Sequence, residues 1–149
     1  KQLNYIQKKL IDINYHIYGS HKYLEKYGYP KTINDLNKHK FISYGKGNPS
    51  PVYNPDWALK LGMKDNKKRK TVMKVNSVYG LLLAVQSGVG LAALPDYLTV
   101  NQPKIAKVLP NVEGPITEAH FVYPQSMKNV ARVQAFRNFL YSKISEWEF

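Results

Sequence analysis

Residues 75–98, with the sequence VNSVYGLLLAVQSGVGLAALPDYL, constrain the fold more than any other part of the chain. Asn76 or Ser77 is positioned to cap a helix, and Gly88 is placed to end it in the left-handed conformation that glycine adopts at low cost. The segment VGLAAL that follows is almost entirely apolar, which predicts a short strand buried on both faces. The helix itself is predicted from apolar residues at i, i+3, i+4 and i+7, namely Val78, Leu81, Leu82 and Val85.

Short strands and helices alternate through the rest of the chain. Residues 3–18 alternate polar and apolar side chains with a period of two, which predicts extended structure. Ser20 and Thr32 each precede a short helical segment and are residue types that cap helices. WALKL (57–61) and TVMKV (71–75) are predicted to pair as a hairpin, and the alternation as a whole predicts α/β layers around a partly parallel sheet. Further strands are predicted at 40–45, 104–109 and 116–124, and a last helix near residue 126.

The composition indicates an ordinary globular protein with a strong positive charge. The formal net charge is +12, from 22 basic and 10 acidic residues. This excess favours an anionic partner, but nearly all the basic residues are lysine, which equally fits a solvated surface. The chain has no cysteine, which excludes disulfides and thiolate chemistry. No apolar run approaches the ~18 residues of a membrane span, and we expect a cytoplasmic protein without membrane contact.

Motifs for catalysis and for metal or nucleotide binding are missing from the sequence. The four histidines show no ligand spacing, and the chain has neither HExxH nor GxSxG. It also has no GxGxxG or Walker loop, and its carboxylates form no evident acid–base pair. We therefore predict that the protein is not an enzyme and that it has no metal site and no cofactor.

Three segments, in the same order and at similar spacing, resemble those of LysR-type transcriptional regulators. The first is INYHIYGSHKYLEKYGYPKTINDLNKHKFISYG, and the second is MKVNSVYGLLLAVQSGVGLAALPDYL. The third joins KIAKVLPN to AHFVYPQSMKNVARVQAFRNFLYSKI. Relative to this family, the chain lacks the N-terminal winged helix-turn-helix and most of the first effector subdomain. Gly19-Ser20 also stands where the family often has Ala-Ser.

The resemblance implies a periplasmic-binding-protein-like fold of type 2, in which two α/β lobes are joined by two crossing strands and a small effector lies between them. Residues 1–18 would then hold strand structure of the first subdomain and the first crossover. Residues 19–117 would form the second subdomain, with three layers around a mixed sheet. Residues 118–149 would be the return strand and C-terminal helix of the first lobe, which is only partly present. The implied hinge residues are Ile17, Tyr18, His120 and Phe121.

In such a lobe, ligands meet the carboxyl ends of strands and the N-termini of the helices that follow. The helix that begins after TVMKV has unpaired backbone N–H groups and a positive dipole end, which favour an anion. The strand that ends at Tyr44 is expected on the same rim. A plain alternative stays open, because Asn76, Ser77 and Ser20 could act only as helix caps, and Ser43 and Tyr44 could be edge-strand surface. The implied effector-binding residues are Asn76, Ser77, Val78, Ser43, Tyr44 and Ser20.

The function that the resemblance implies is sensing of a small organic anion by a transcription factor. DNA would be bound only through the N-terminal domain that this chain lacks, and the full-length protein would form a homodimer or homotetramer. Two alternatives stay open. A solute-binding protein of a transporter has the same fold, and the net charge of +12 is compatible with a basic module that binds nucleic acid directly.

Overall fold

The computed structural model describes residues 4–45, 54, 56–65 and 67–147, and these belong to two units. Unit 1 takes the chain up to Ile13 and from Thr117 onward, and unit 2 is Asn14–Ile116. The strands are β1 (Tyr5–Ile13), β2 (Tyr15–Ser20), β3 (Phe41–Tyr44), β4 (Thr71–Val75), β5 (Ala92–Pro95), β6 (Ile105–Val108) and β7 (Thr117–Pro124). The α-helices are α1 (His21–Tyr27), α2 (Trp57–Lys60), α3 (Val78–Gln86), α4 (Asp96–Thr99) and α5 (Ala131–Ile144), and short 3-10 helices span Ile33–Lys38 and Gln125–Met127.

The chain passes between the units twice, and the first passage differs from the expected boundary. Asn14 interrupts the extended run, and β2 then pairs with β5 on one side and β6 on the other. All six residues of β2 are buried. Residues 14–18 therefore belong to unit 2, because their hydrogen bonds and burial lie there, whereas the expected boundary fell after residue 18.

Unit 2 contains a mixed sheet. The strands β5, β2 and β6 pair antiparallel in that order, and β3 pairs parallel with β4. A single parallel bridge between Phe41 and Leu91 joins the two groups, with Ile42 N donating to Leu91 O and Leu91 N donating to Lys40 O, both at 2.8 Å. The carboxyl ends of β3, β4 and β5 therefore share one edge of the sheet.

The predicted hairpin of WALKL with TVMKV is wrong. Residues 57–60 form the one-turn helix α2, in which Trp57, Ala58 and Leu59 are all buried. TVMKV forms β4, but its partner is β3 and the pairing is parallel. Five alternating residues fit a strand and a short buried helix equally well, so only the packing decides between them. The last helix also begins later than predicted, at Ala131, after the 3-10 turn at Gln125–Met127.

The predicted helix caps are confirmed. The Ser20 Oγ accepts a hydrogen bond from Tyr23 N at 3.2 Å, and the Ser77 Oγ accepts one from Gly80 N at 3.2 Å. Thr32 and Asp35 form a reciprocal capping box. Gly88, just beyond α3, has the positive φ of 79° that a glycine stop requires.

The core of unit 2 lies between α3 and the sheet. The predicted apolar stripe of α3 is largely buried, with Leu81, Leu82 and Val85 inside and Val78 half-buried at the first turn. The sheet contributes buried residues from β2, β3, β5 and β6, and these pack against the helix. The buried cluster comprises Tyr18, Ile42, Leu81, Leu82, Ala84, Val85, Ala92, Leu94 and Ile105.

Unit 1 is an antiparallel pair with one helix. β1 pairs with β7 from Tyr5 opposite Pro124 to Ile13 opposite Thr117, with an irregularity between Lys9 and Ile11. No residue of α5 is buried, and Phe136 on its apolar side is 53% exposed. The helix is tied to β1 by Tyr141 OH, which donates to Lys9 O at 2.9 Å.

We expect Gly90→Ala to destabilise unit 2 by about 1–3 kcal/mol, because the new methyl group would lie 2.5 Å from Lys40 O, in the backbone of the bridge. Gly45→Ala is the matched control, since its nearest contact would be an ordinary 3.7 Å from Val75. Urea unfolding of both variants measures the difference. Equal stability of Gly90→Ala and the parent chain would contradict the importance given to this bridge.

Candidate functional site

Unit 2 has a small hollow at the sheet edge where β3, β4 and β5 end. Because β2 runs antiparallel to β5, its first residue, Tyr15, lies at the same edge, opposite Pro95. The hollow measures about 20 Å³, which is room for a water-sized group. This edge can therefore hold one polar group of a larger ligand. The residues that line the hollow are Tyr15, Ile42, Ser43, Tyr44, Val78, Leu81, Ala93 and Pro95.

The first turn of α3 brings backbone donors to the rim of the hollow. Ser77 caps this helix through its Oγ, which accepts from Gly80 N. Within the described residues, no acceptor is bonded to the N–H groups of Val78 and Tyr79. These two donors and the positive end of the helix dipole favour an anion at this point. Capping does not compete with this role, because the cap uses a lone pair of Ser77 and leaves its hydroxyl proton available.

The turn between β4 and α3 is held in place by the end of β3. Tyr44 OH donates to Asn76 O at 2.9 Å, and Gly45 N donates to Val75 O at 2.8 Å. The Asn76 side chain is exposed and has no hydrogen-bond partner among the described residues. The helix end is thus ordered without a ligand, which lowers the ordering cost of binding.

Ser43 is the most buried polar residue of the hollow. It is 5% exposed, and its hydroxyl makes no hydrogen bond to any described residue. The oxygen of this hydroxyl is not one of the fully enclosed unpaired atoms, so water or a bound group can reach it. The structure therefore brings together five of the six predicted effector residues, namely Asn76, Ser77, Val78, Ser43 and Tyr44.

Ser20 does not lie at this hollow. Because β2 and β5 are antiparallel, Ser20 at the end of β2 stands at the opposite edge of the sheet from Tyr15. Ser20 is 1% exposed and its Oγ accepts from Tyr23 N. Its role as the cap of α1 accounts for these contacts, and we exclude it from the candidate site.

The predicted hinge residues lie inside paired strands. Ile17 and Tyr18 are central in β2, and each is paired with both β5 and β6. His120 and Phe121 lie within β7 and pair with β1. Hinges usually lie in loops or at the ends of elements, because bending a paired strand breaks its ladder hydrogen bonds. The two passages between the units are therefore better hinge candidates than these four residues.

Sequence reasoning did not identify Tyr15 or Pro95 as residues of the hollow. Their proximity follows from the register of β2 against β5, which joins residues 80 positions apart. No local pattern in the sequence carries that information.

Asp96 is a buried carboxylate that directly follows Pro95, one of the residues that line the hollow. It accepts hydrogen bonds from Tyr18 OH at 2.9 Å and from Lys107 Nζ at 3.1 Å, and His16 Nδ1 lies 2.8 Å from its Oδ2. Two of these partners lie in β2 and one lies in β6, while Asp96 directly follows β5. We call these four residues the Asp96 cluster. It ties three strands together beside the hollow and leaves no lone buried charge.

The hollow and its surroundings carry few other polar groups. None of the described residues that line the hollow is acidic, so an anion there meets no like charge from them. Among the described residues, no group of three or more His, Cys, Asp or Glu side chains could hold a metal ion. None of the helices in that part of the chain is long and apolar enough to cross a membrane.

Comparison with known sequences identifies relatives along most of the chain. A family model described as the LysR substrate binding domain matches residues 3–144. A Haemophilus influenzae protein described as an uncharacterized HTH-type transcriptional regulator is 25% identical over 123 residues. The match covers 80% of this chain and 41% of that protein, so the chain spans less than half the length of this relative.

Solved structures show the same architecture. The regulatory domain of CrgA, a LysR-type transcriptional regulator from Neisseria meningitidis, has a TM-score of 0.75 at 20% identity, over 94% of this chain and 69% of that one. The structure of CrgA itself has a TM-score of 0.78 at 21% identity, over 98% of this chain and 51% of that one. The effector domain of AmpR from Pseudomonas aeruginosa has a TM-score of 0.65 at 16% identity, over 95% of this chain and 66% of that one. These likenesses confirm the predicted fold class.

We expect Asp96→Ala to destabilise unit 2 by about 3–5 kcal/mol, because it leaves three buried or half-buried donors without their acceptor. Asp56→Ala is the control in the same unit. It breaks the Lys68–Asp56 pair nearer the surface, at 2.6 Å, which we expect to cost at most about 1 kcal/mol. Denaturant unfolding compares the two, and similar losses would show that the Asp96 cluster adds no special stability.

We expect stability to fall at alkaline pH partly through Tyr18. Burial raises the pKa of Tyr18 well above its ordinary value, so above about pH 10 the unfolded chain loses this proton before the folded chain does. Stability from this group is therefore present below that pH and lost as pH rises. Tyr18→Phe should flatten the decline, whereas the exposed control Tyr79→Phe should not. Denaturant midpoints measured up to about pH 12 test this, and parallel profiles for both variants would contradict it.

Proposed function

Because the chain belongs to the LysR substrate-binding domain family, we propose that it is the effector-sensing part of a LysR-type transcriptional regulator and that one anionic group of a small effector binds at the hollow of unit 2. The observation that carries this proposal is that the N–H groups of Val78 and Tyr79 have no acceptor among the described residues and lie beside a hollow lined by Ser43 and Tyr44. The size of the hollow supports one end group of the effector, such as a carboxylate.

The chemistry of the rim favours an anion over a neutral or cationic group. Backbone donors at a helix start bind carboxylates and phosphates well, and each charge-assisted hydrogen bond is shorter and stronger than a neutral one. The hydroxyl proton of Ser77, whose oxygen caps the helix, supplies a further donor at the rim, and none of the described residues that line the hollow carries a carboxylate. Aliphatic and aromatic lining, from residues such as Ile42 and Leu81, excludes water around the bound group.

The proposed mechanism is a shift between two conformations that exist without effector. An effector that binds one conformation better moves the equilibrium by its differential affinity, and a tenfold shift needs about 1.4 kcal/mol. In the whole regulator this shift would reach the DNA through another domain and through dimer or tetramer contacts. These partners, a cytoplasmic location and an effector bound between two lobes stay predictions, which the descriptions of the relatives as transcriptional regulators support.

The family match bears on the two alternatives. A transporter component with this fold is less favoured, because the relatives named above are regulators and their regulatory domains. Direct nucleic-acid binding by this chain rests on the net charge alone, since no aromatic and basic stacking pattern accompanies it. We propose no catalytic role.

We expect Val78→Phe to abolish effector binding, because the larger side chain fills the hollow. The chain is screened by thermal shift against a panel of small organic acids and against the small-molecule extract of the cells that express it. Ligands that raise the melting temperature of the parent should fail to raise that of Val78→Phe. Tyr79→Trp enlarges the neighbouring residue, which is 59% exposed, and should keep the shift.

Retention of the full thermal shift by Val78→Phe would contradict the site. The same variants in the intact regulator, read through expression from its own promoter, test the link to transcription. There, loss of the effector response in Val78→Phe and its retention in Tyr79→Trp are expected. An unchanged response in Val78→Phe would place the effector elsewhere.

A further inference from the structure

A basic groove lies in unit 2 beside the hollow and shares Ser43 and Tyr44 with it. The groove has a volume of about 300 Å³, which is within the range of small-molecule sites. Among the described residues, four basic side chains line it, against one carboxylate, that of Asp56. The charge of this groove is therefore strongly unbalanced.

Arg69 is a buried cation in the wall of the groove. It is 8% exposed, and its three side-chain hydrogen bonds to described residues go to neutral acceptors, at Asn37 Oδ1, Ala58 O and Ile33 O, between 2.9 and 3.3 Å. Within the described residues it forms no ion pair. Burying a charge without a counter-ion is costly, so the site gains from a negative charge nearby.

Two further lysines extend this positive charge into the groove. Lys68 is neutralised by Asp56 at 2.6 Å. Lys70 and Lys74 are exposed, and neither has an ion-pair partner in the described part of the chain. Lys74 lies opposite Ser43 in the parallel ladder, so the two side chains stand on the same face of the sheet.

Ser43 supplies an observation that is independent of the lysines. It is 5% exposed, lines the groove, and has a hydroxyl without a hydrogen-bond partner among the described residues. The Ser43 oxygen is not one of the fully enclosed unpaired atoms, so its hydroxyl is accessible and can donate to an acceptor in the groove. An anion that carries several oxygens would satisfy this hydroxyl and two ammonium groups at once.

We propose that this groove binds a phosphoryl group, with Lys70 and Lys74 paired to its oxygens and the Ser43 hydroxyl donating to a third. A phosphoryl dianion matches the unbalanced charge better than a single carboxylate does, and its three oxygens accept donors from different directions. This site adjoins the effector hollow and shares Ser43 and Tyr44 with it, but its basic residues lie outside the hollow and it does not depend on the proposed function. The ligand is either free phosphate or a small phosphate ester.

The test is a titration of the 149-residue chain with inorganic phosphate, in which NMR amide chemical shifts are measured at each phosphate concentration. Sodium chloride keeps the ionic strength constant. Saturable shifts are expected at Ser43, Thr71 and Lys74, which line the groove. A parallel titration with acetate should give weaker binding. Phenyl phosphate in a third arm separates the sources, because tighter binding than inorganic phosphate indicates an ester and equal binding indicates free phosphate.

Variants distinguish a built site from general attraction to a protein with a net charge of +12. Lys70→Ala with Lys74→Ala should weaken phosphate binding about tenfold, and Ser43→Ala about threefold. The matched control, Lys22→Ala with Lys104→Ala, removes two exposed charges of the same unit outside the groove and should change the affinity less than about twofold.

Unsaturable shifts spread over many lysines, or equal weakening by both double variants, would overturn the proposal. Val78→Phe keeps the two tests apart, because Val78 lines the hollow and not the groove. Phosphate binding that survives Val78→Phe supports a separate groove site, and its loss in that variant would assign the anion to the effector hollow instead.

Discussion

The bridge between Phe41 and Leu91 is the contact on which the architecture of unit 2 depends. Two backbone hydrogen bonds of 2.8 Å join the parallel pair β3–β4 to the antiparallel group of β5, β2 and β6. The chains approach this closely because Gly90 has no side chain where a Cβ would meet the Lys40 carbonyl. Through this bridge the ends of β3, β4 and β5 reach one edge, and α3 covers a single continuous core.

The same geometry explains why one strand can serve two sites. In β3, Ile42 packs into the core under α3, while Ser43 turns away from that core. Tyr44 at the strand end fixes the start of α3 through its bond to the Asn76 carbonyl. The effector hollow therefore uses backbone donors of a helix, whereas the basic groove uses side-chain charges of β4 and of the residues just before it, together with the Ser43 hydroxyl of β3. These are different ways of attracting an anion, and they respond to different substitutions.

Unit 2 buries two charged side chains, Asp96 and Arg69, in different environments. The Asp96 cluster buries a carboxylate with three partners from two strands, so its charge and hydrogen bonds are satisfied within the protein. Arg69 is buried with neutral acceptors only. The first arrangement stabilises the fold by itself, and the second leaves a charge that a ligand can balance. Because of this difference, we assign a structural role to Asp96 and propose that Arg69 contributes positive charge to an anion-binding groove.

The sequence by itself determined α1 and α3, the caps at Ser20, Thr32 and Ser77, and the family. Ser20, Thr32 and Ser77 act on amides three residues away, and the apolar stripe of α3 repeats within two turns, so both can be read locally. Only the tertiary structure decided that TVMKV pairs with β3, that Tyr15 reaches the hollow while Ser20 lies at the other edge, and that Arg69 and Asp96 are buried. The physical reason is that strand partners, register and burial depend on contacts between residues far apart in the chain, which short-range patterns do not encode.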